Sequence, residues 1–269
     1  MNDVVNTTPV RHLLGLSGGK DSSALAIYLR DKVPEMEYFF ADTGAELPET
    51  LAYIDMLEDY LGKPIVRLNA GRSFEFYLKL HNNYLPSPRQ RWCTINLKLL
   101  PFENFVGQDE AVSYIAIRAD EPKRDGYIST KQNIKTKFPF RENGINKSDV
   151  LAILEEAGLG LPSYYTWRSR SGCYFCFFQR KEEWIGLHEN HPDLFEKSKN
   201  YEKKDLETGK IYTWSQAESL DDLLSRKDEI KLQKQATKKP LRSKALINNL
   251  TIGDETDDDD DSSCLICTL

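Results

Sequence analysis

The chain has 269 residues, 40% hydrophobic and 29% charged, a balance that suits a folded globular protein and excludes a largely disordered one. No apolar run approaches the roughly 18 residues a membrane helix needs, and the opening residues lack an apolar signal core, so a cytoplasmic protein with no membrane attachment is expected. The net charge of −6 is concentrated at one end: Gly253 to Leu269 hold seven acids and no Lys or Arg, leaving 36 basic against 35 acidic residues elsewhere.

In chain order, Arg11 to Leu16 is a short apolar run that breaks at Ser17-Gly18-Gly19, and Ser22 to Leu29 resumes at helical spacing. That is strand, tight turn, helix. Tyr38 to Ala41 predicts a second strand, ended by Asp42-Thr43-Gly44, with a helix from Leu47 to Leu61. Pro64 to Leu68 predicts a third strand after the Gly62 stop. Val112 to Ile117 predicts a fourth, ended by Arg118-Ala119-Asp120-Glu121, and Phe138 to Phe140 an additional one. Lys147 to Ala157 reads as a helix capped by Asn146 or Ser148. Strands alternating with helices predict an open parallel five-stranded sheet with helices on both faces. After Pro162 aromatic residues crowd around two cysteines, and Trp214 to Gln235 reads as a helix, so a helical, cysteine-containing extension is expected. The expected division is residues 1–160, 161–252 and a disordered acidic tail at 253–269. The eight Lys/Arg between Arg226 and Lys244 are read either as a solvated helix or as a phosphate-binding surface that the tail masks.

Ser17-Gly18-Gly19-Lys20-Asp21-Ser22 is the most informative string. Two adjacent glycines let backbone amides approach an anion closely, since no Cβ intervenes. The loop then opens a helix, whose free amides and positive dipole end favour phosphate. Lys20 adds a charge and Ser22 a hydroxyl donor. It is not the common phosphate loop, because position 14 is Leu and position 21 is Asp. All three polar clusters, Ser17–Ser22, Asp42–Thr43 and Arg118–Glu121, follow predicted parallel strands, where open α/β sheets bind ligands.

At this string the chain resembles the PP-loop ATP pyrophosphatases, whose signature is SGGxDS after the first strand. More narrowly, SGGKDS, FFADTGAELPETLAYI, RWCTINLK, AIRADEPKR and SGCYFC resemble the PAPS-reductase-like branch. The resemblance implies an adenine nucleotide alpha-hydrolase-like fold, with ATP and Mg²⁺ as cofactors. It implies that Ser17, Gly18, Gly19, Lys20, Asp21 and Ser22 hold the phosphates. Asp42 and Thr43 would lie near the adenosine, and Arg118 and Arg124 near phosphate or substrate. Ala116 stands where the family usually has glycine.

Cys173-x-x-Cys176 lies eighty residues after Cys93. Three readings stay open on the residues alone. A redox dithiol leaves Cys93 unused. A zinc site with His188 and His191 has spacings shorter than usual. An iron–sulfur cluster would use all three cysteines. Cys93, Cys173 and Cys176 match, in order and spacing, the cluster ligands of iron–sulfur members of the resembled branch, which have a cysteine pair where this chain has Trp92-Cys93. Either one iron is left open to hold sulfide, or Cys264 or Cys267 completes the shell.

The resemblance is nearest to the ATP pyrophosphatases of DNA phosphorothioation systems of the Dnd and Ssp type. It implies an enzyme that adenylates a substrate oxygen, in DNA a backbone phosphate, for replacement by sulfur, with Lys20, Asp21, Cys93 and Arg118 as the reacting machinery. A cysteine desulfurase, other subunits of a modification complex and DNA are the implied partners, and a homodimer is common among relatives. The competing expectations are a sulfonucleotide reductase acting on PAPS or APS, a tRNA thiolase, and a non-catalytic nucleotide-binding subunit. The reductase's C-terminal Glu-Cys-Gly motif is absent, Ser263-Cys264-Leu265 standing at the corresponding end.

Overall fold

The computed structural model describes residues 9–126, 128–204, 211–215 and 218–237. The acidic tail with Cys264 and Cys267, and the part of the basic stretch after Thr237, lie outside the described residues. Among the described residues no helix is long and apolar enough to cross a membrane.

Five strands form one parallel sheet: β1 (Arg11–Gly15), β2 (Glu37–Asp42), β3 (Ile65–Asn69), β4 (Ala111–Tyr114) and β5 (Ile134–Lys137), in the order β3-β2-β1-β4-β5. The expected open parallel sheet is therefore present. Period-two alternation divides the residues of β2 between two cores. Tyr38 and Phe40 pack with α1 (Lys20–Leu29), α2 (Pro48–Leu61) and α7 (Lys147–Glu156) on one face. Phe39 faces the other way and stacks on Phe102 with ring centroids 4.9 Å apart. Burying a ring of that size contributes about 1.5–3 kcal/mol.

Helix boundaries follow local chemistry. Pro48 begins α2, where its missing N–H costs nothing, and Gly62 ends it at φ +62. Asn146 caps α7 in a reciprocal box: its Oδ1 accepts from the Ser148 and Asp149 amides, and Asp149 accepts the Asn146 amide at 2.8 Å. Of the two caps expected, Asn146 is the one used.

Two sequence expectations need correction. Phe138 to Phe140 is not the fifth strand; β5 ends at Lys137, and Pro139 opens the short α6 (Pro139–Glu142). Proline fits the first helical turn but has no N–H for a sheet ladder. Trp214 to Gln235 is not one helix. Ser219 caps α10 (Leu220–Ser225) with Asp222 as its reciprocal partner, the chain turns at Arg226, and α11 (Lys227–Thr237) follows. Trp214 instead sits beyond the small antiparallel pair β6 (Lys203–Lys204) and β7 (Ile211–Tyr212), donating its indole N–H to the Ser198 carbonyl at 2.9 Å.

Between β3 and β4 the chain forms α3 (Phe74–Leu80) and then a nearly continuous helix: α4 (Trp92–Thr94), a π-helical turn at Ile95–Leu99 and α5 (Leu100–Val106). The wider turn precedes Pro101, which has no N–H to bond the Leu97 carbonyl. After α7 come a 3₁₀ turn at Ser163–Thr166, then α8 (Lys181–Asn190) and α9 (Pro192–Lys199). This extension shares a third core with α3 and α4, in which Phe74, Trp92, Phe175, Trp184 and Trp214 are all buried. Phe74 meets Phe175 at 4.0 Å and Trp92 at 5.1 Å between centroids. These ring contacts fasten the cysteine segment over the carboxyl ends of β2 and β3.

Candidate active site

The strand order reverses between β1 and β4, so the crevice beyond their carboxyl ends is the expected ligand position. The sequence Ser17–Ser22 leaves β1 there, and Arg118–Glu121 leaves β4. A side-chain bridge joins them: Arg118 Nη1 lies 3.1 Å from Asp21 Oδ1, and Lys20 Nζ 3.4 Å from Asp21 Oδ2. Arg118 is only 3% exposed and also bonds Asp120 at 2.9 Å. Arg124 pairs with Glu121 at 2.8 Å, and the Arg118 amide donates to the other oxygen of that carboxylate. Burial alone would push the Asp21 carboxyl up, but the charges of Lys20, Arg118 and Arg124 outweigh it and hold the group below the usual carboxylate range. Burial disfavours the Arg118 charge, and Asp21 and Glu121 more than restore it, so Arg118 stays a cation.

Both loop glycines sit in tight surroundings. Gly18 has φ +70, and a Cβ there would stand 2.6 Å from Thr50 Cγ2 at the start of α2. A Cβ on Gly19 would stand 2.7 Å from Ser171 Oγ. Gly19 caps α1 with no side-chain bond of its own. Within the loop, Ser22 Oγ accepts the Ser17 amide at 3.2 Å and lies 3.1 Å from Ser17 Oγ.

The cysteine segment supplies the second wall. Tyr164 donates its hydroxyl to the Gly18 carbonyl at 2.7 Å, Ser171 Oγ donates to Ser17 Oγ at 3.1 Å, and the Lys20 amide donates to Tyr165 Oη at 3.1 Å. Arg168, buried between the two, donates to the carbonyls of Gly172 and Cys173 and so fixes the turn that carries Ser171 and Cys173. Tyr164, Tyr165, Ser171 and Lys98 were not among the candidate residues read from the sequence. Ser171 and Lys98 lie inside the SGCYFC and RWCTINLK strings, but nothing local to either string says which loop it faces.

Cys93, Cys173 and Cys176 line one largely apolar cavity of ≈ 40 Å³, with Thr43, Lys98, Gly172 and Phe175 among its other walls. Lys98 and Gly172 also line a smaller cavity against Ser17 and Glu46, so the cysteines and the Ser17–Ser22 loop are neighbours. Thr43 therefore belongs to the cysteine side: its hydroxyl donates to Glu46 at 2.6 Å and lies 3.2 Å from Cys173 Sγ. Asp42 instead accepts the Gly44 amide at 2.9 Å and shapes its own turn. Burial, reinforced by the Glu46 charge, pushes the Cys173 thiol up to about 12.

The three thiols that line this largely apolar cavity are, by type, the soft donors an iron–sulfur cluster uses. Among the described residues no group of three or more His, Cys, Asp or Glu stands ready to hold a metal ion. The finger-like set of Cys173, Cys176, His188 and His191 is not assembled. His191, between α8 and α9, bonds Glu49 at 2.8 Å, and His188 of α8 packs edge-on against Phe195. Asp21 offers an ionised carboxylate at the loop, which suits Mg²⁺ held mainly by substrate phosphates rather than by a protein cage.

In the described part of the basic stretch Arg226 pairs with Glu218 and Glu229, and Lys231 with Glu189.

The phosphoadenosine phosphosulfate reductase domain family matches residues 11–139. Two uncharacterized proteins of Methanocaldococcus jannaschii are each 28% identical, over 67% and 70% of this chain but 45% and 40% of their own lengths. The chain thus spans less than half of each. An uncharacterized nin region protein of Escherichia phage lambda is 24% identical, over 65% of this chain and 68% of its own. A crystal structure of PAPS reductase from Candida auris, in a phosphate complex, is similar at a TM-score of 0.50 and 14% identity, covering 64% of this chain and 85% of that one. At that identity the likeness concerns the fold alone. The domain match covers the part of the chain that forms the parallel sheet, and the fold there is similar to that of the reductase.

Proposed function

We propose that the protein is an ATP pyrophosphatase that adenylates a substrate oxygen so that sulfur can replace it. The observation that carries this reading is the adjacency of two sites: an amide-lined loop with Lys20 and Arg118, and a three-cysteine cavity sharing the Lys98 and Gly172 walls. The acceptor oxygen, in DNA a backbone phosphate oxygen, attacks the α-phosphorus of ATP, and pyrophosphate leaves. The loop amides and Lys20 hold the charge that develops on the leaving group, and Arg118 is fixed by Asp21 and Asp120 to meet the remaining phosphate. Asp21 would hold Mg²⁺ together with the nucleotide phosphates. Hydrosulfide, released from a desulfurase persulfide by a second thiol that ends as a disulfide, then displaces AMP, which carries off the original oxygen. Cys93, Cys173 and Cys176 would hold an iron–sulfur cluster, which when bound supplies a soft-metal site for sulfide. Burial of the Cys173 thiol keeps it protonated until a metal or persulfide claims it.

The test is pyrophosphate release from ATP, measured with and without sulfide and duplex DNA, with Lys20→Ala as the control. Release that depends on Lys20 and rises with acceptor supports the reading. A second reading, reduction of a sulfonucleotide to sulfite, is favoured by the family description and uses the same loop and thiols. Sulfite formed from PAPS, with no pyrophosphate formed from ATP, would replace the first reading with the second.

A further inference from the structure

The two adjacent tyrosines of the 3₁₀ turn do different work at the phosphate loop. Tyr164 is fully buried and its hydroxyl donates to the Gly18 carbonyl, an atom that an anion does not seek. Tyr165 is half-buried, and its hydroxyl accepts the Lys20 amide, a donor that a phosphate does seek. The Tyr165 ring also lies 5.7 Å from Lys20 Nζ, within reach of a cation–π contact. An amide has one hydrogen, so the hydroxyl and a phosphate oxygen compete for it.

We propose that Tyr165 is a displaceable cap on the phosphate loop: its hydroxyl holds the Lys20 amide in the free protein, and an incoming phosphate takes that amide over and releases the ring. The inference rests on the reading of Ser17–Ser22 as a phosphate site. The exchange favours the anion, because a hydrogen bond to a charged acceptor is about twice as strong as one to a neutral hydroxyl. Tyr164 makes the exchange local. It stacks on Tyr165 at 4.8 Å and is pinned to Gly18, so the turn stays in place while the outer ring leaves. The Lys20 amide turns from a protein partner to the ligand in this event, while the Lys20 ammonium stays beside Asp21 at 3.4 Å. The cap holds the helix terminus satisfied when no nucleotide is bound, at a cost in affinity equal to the bond that must be given up.

The experiment is calorimetric titration of the full chain with inorganic pyrophosphate, for wild type, Tyr165→Phe and Lys20→Ala. Phenylalanine keeps the ring and deletes the competing acceptor, so pyrophosphate is expected to bind about threefold to tenfold more tightly. Equal or weaker binding by Tyr165→Phe, with wild-type binding intact, overturns the cap and leaves the loop reading standing. No wild-type binding at all, with Lys20→Ala indistinguishable from it, overturns both. A second measurement needs no variant. In the wild-type protein, pyrophosphate should shift the Lys20 amide resonance and the Tyr165 ring resonances together. A shift of the amide alone means the ring is not released, and contradicts the cap.

Discussion

Gly19→Ala asks whether the cysteine segment is truly a wall of the Ser17–Ser22 loop. Gly19 has φ −97 and ψ 164, extended backbone that alanine adopts freely, so conformation does not forbid the change. Space does. The new Cβ would lie 2.7 Å from Ser171 Oγ and 3.3 Å from Ser171 Cβ. Ser171 must rotate and surrender its 3.1 Å bond to Ser17, a net loss of about 1 kcal/mol. Crowding of a packed site adds about 1–2 kcal/mol, against about 0.4–1 kcal/mol returned by restricting the unfolded chain. The expected destabilisation is about 1–2 kcal/mol. In a Ser171→Ala background the oxygen is gone and the nearest remaining atom is at 3.3 Å, so Gly19→Ala should then change stability by about 0.5 kcal/mol or less. Urea unfolding of the four proteins measures the coupling, expected at about 1 kcal/mol. Additive effects, within about 0.3 kcal/mol, would refute the contact and with it the shared wall.

Lys20→Ala should lower pyrophosphate release by two to three orders of magnitude, since removing one preorganised donor raises the barrier by about 3–4 kcal/mol; a loss below tenfold in kcat would contradict its role. Arg118→Met strips a buried partner from Asp21, with an expected stability loss of about 3–5 kcal/mol at neutral pH. The pH dependence has a definite sign. A carboxyl lowered in the folded state stabilises fully above its unfolded value, near 3.9, and loses that contribution as pH falls through the folded value. The Arg118→Met curve of Tm against pH should therefore lie below the wild-type curve at neutral pH and converge with it as pH falls through that folded value, and parallel curves would count against the Asp21 pairing. Burial and then the Glu46 charge raise the Cys173 thiol, so Glu46→Gln should speed alkylation of Cys173 at pH 8, read by mass spectrometry; an unchanged rate removes Glu46 from the cavity's electrostatics.

The sheet was legible because its strands are short apolar runs ended by Gly or Asp, and because Ser17-Gly18-Gly19 breaks the first of them where a helix resumes. The Lys20, Asp21 and Arg118 cluster could be placed without side-chain geometry, since parallel strands deliver their carboxyl ends to one edge. The fifth strand was misplaced by a few residues. Ile134–Lys137 carries two lysines, which suit an edge strand and hide its pattern, whereas Phe138 and Phe140 look more strand-like than the turn they occupy. The contacts of Tyr164, Tyr165 and Ser171 with the loop were illegible because they span about 145 to 154 residues of chain. No periodicity encodes such a meeting; it depends on how Phe74, Trp92 and Phe175 seat the extension. The resemblance implies that Thr43 lies near the adenosine; in the structure its hydroxyl donates to Glu46 and lies 3.2 Å from Cys173 Sγ.

The most direct measurement is a crystal structure of the protein with a non-hydrolysable ATP analogue. Triphosphate density over Gly18–Ser22, with the Lys20 amide on a phosphate oxygen, is the predicted result. Nucleotide bound at another place, with the Tyr165 hydroxyl still on the Lys20 amide, would contradict it.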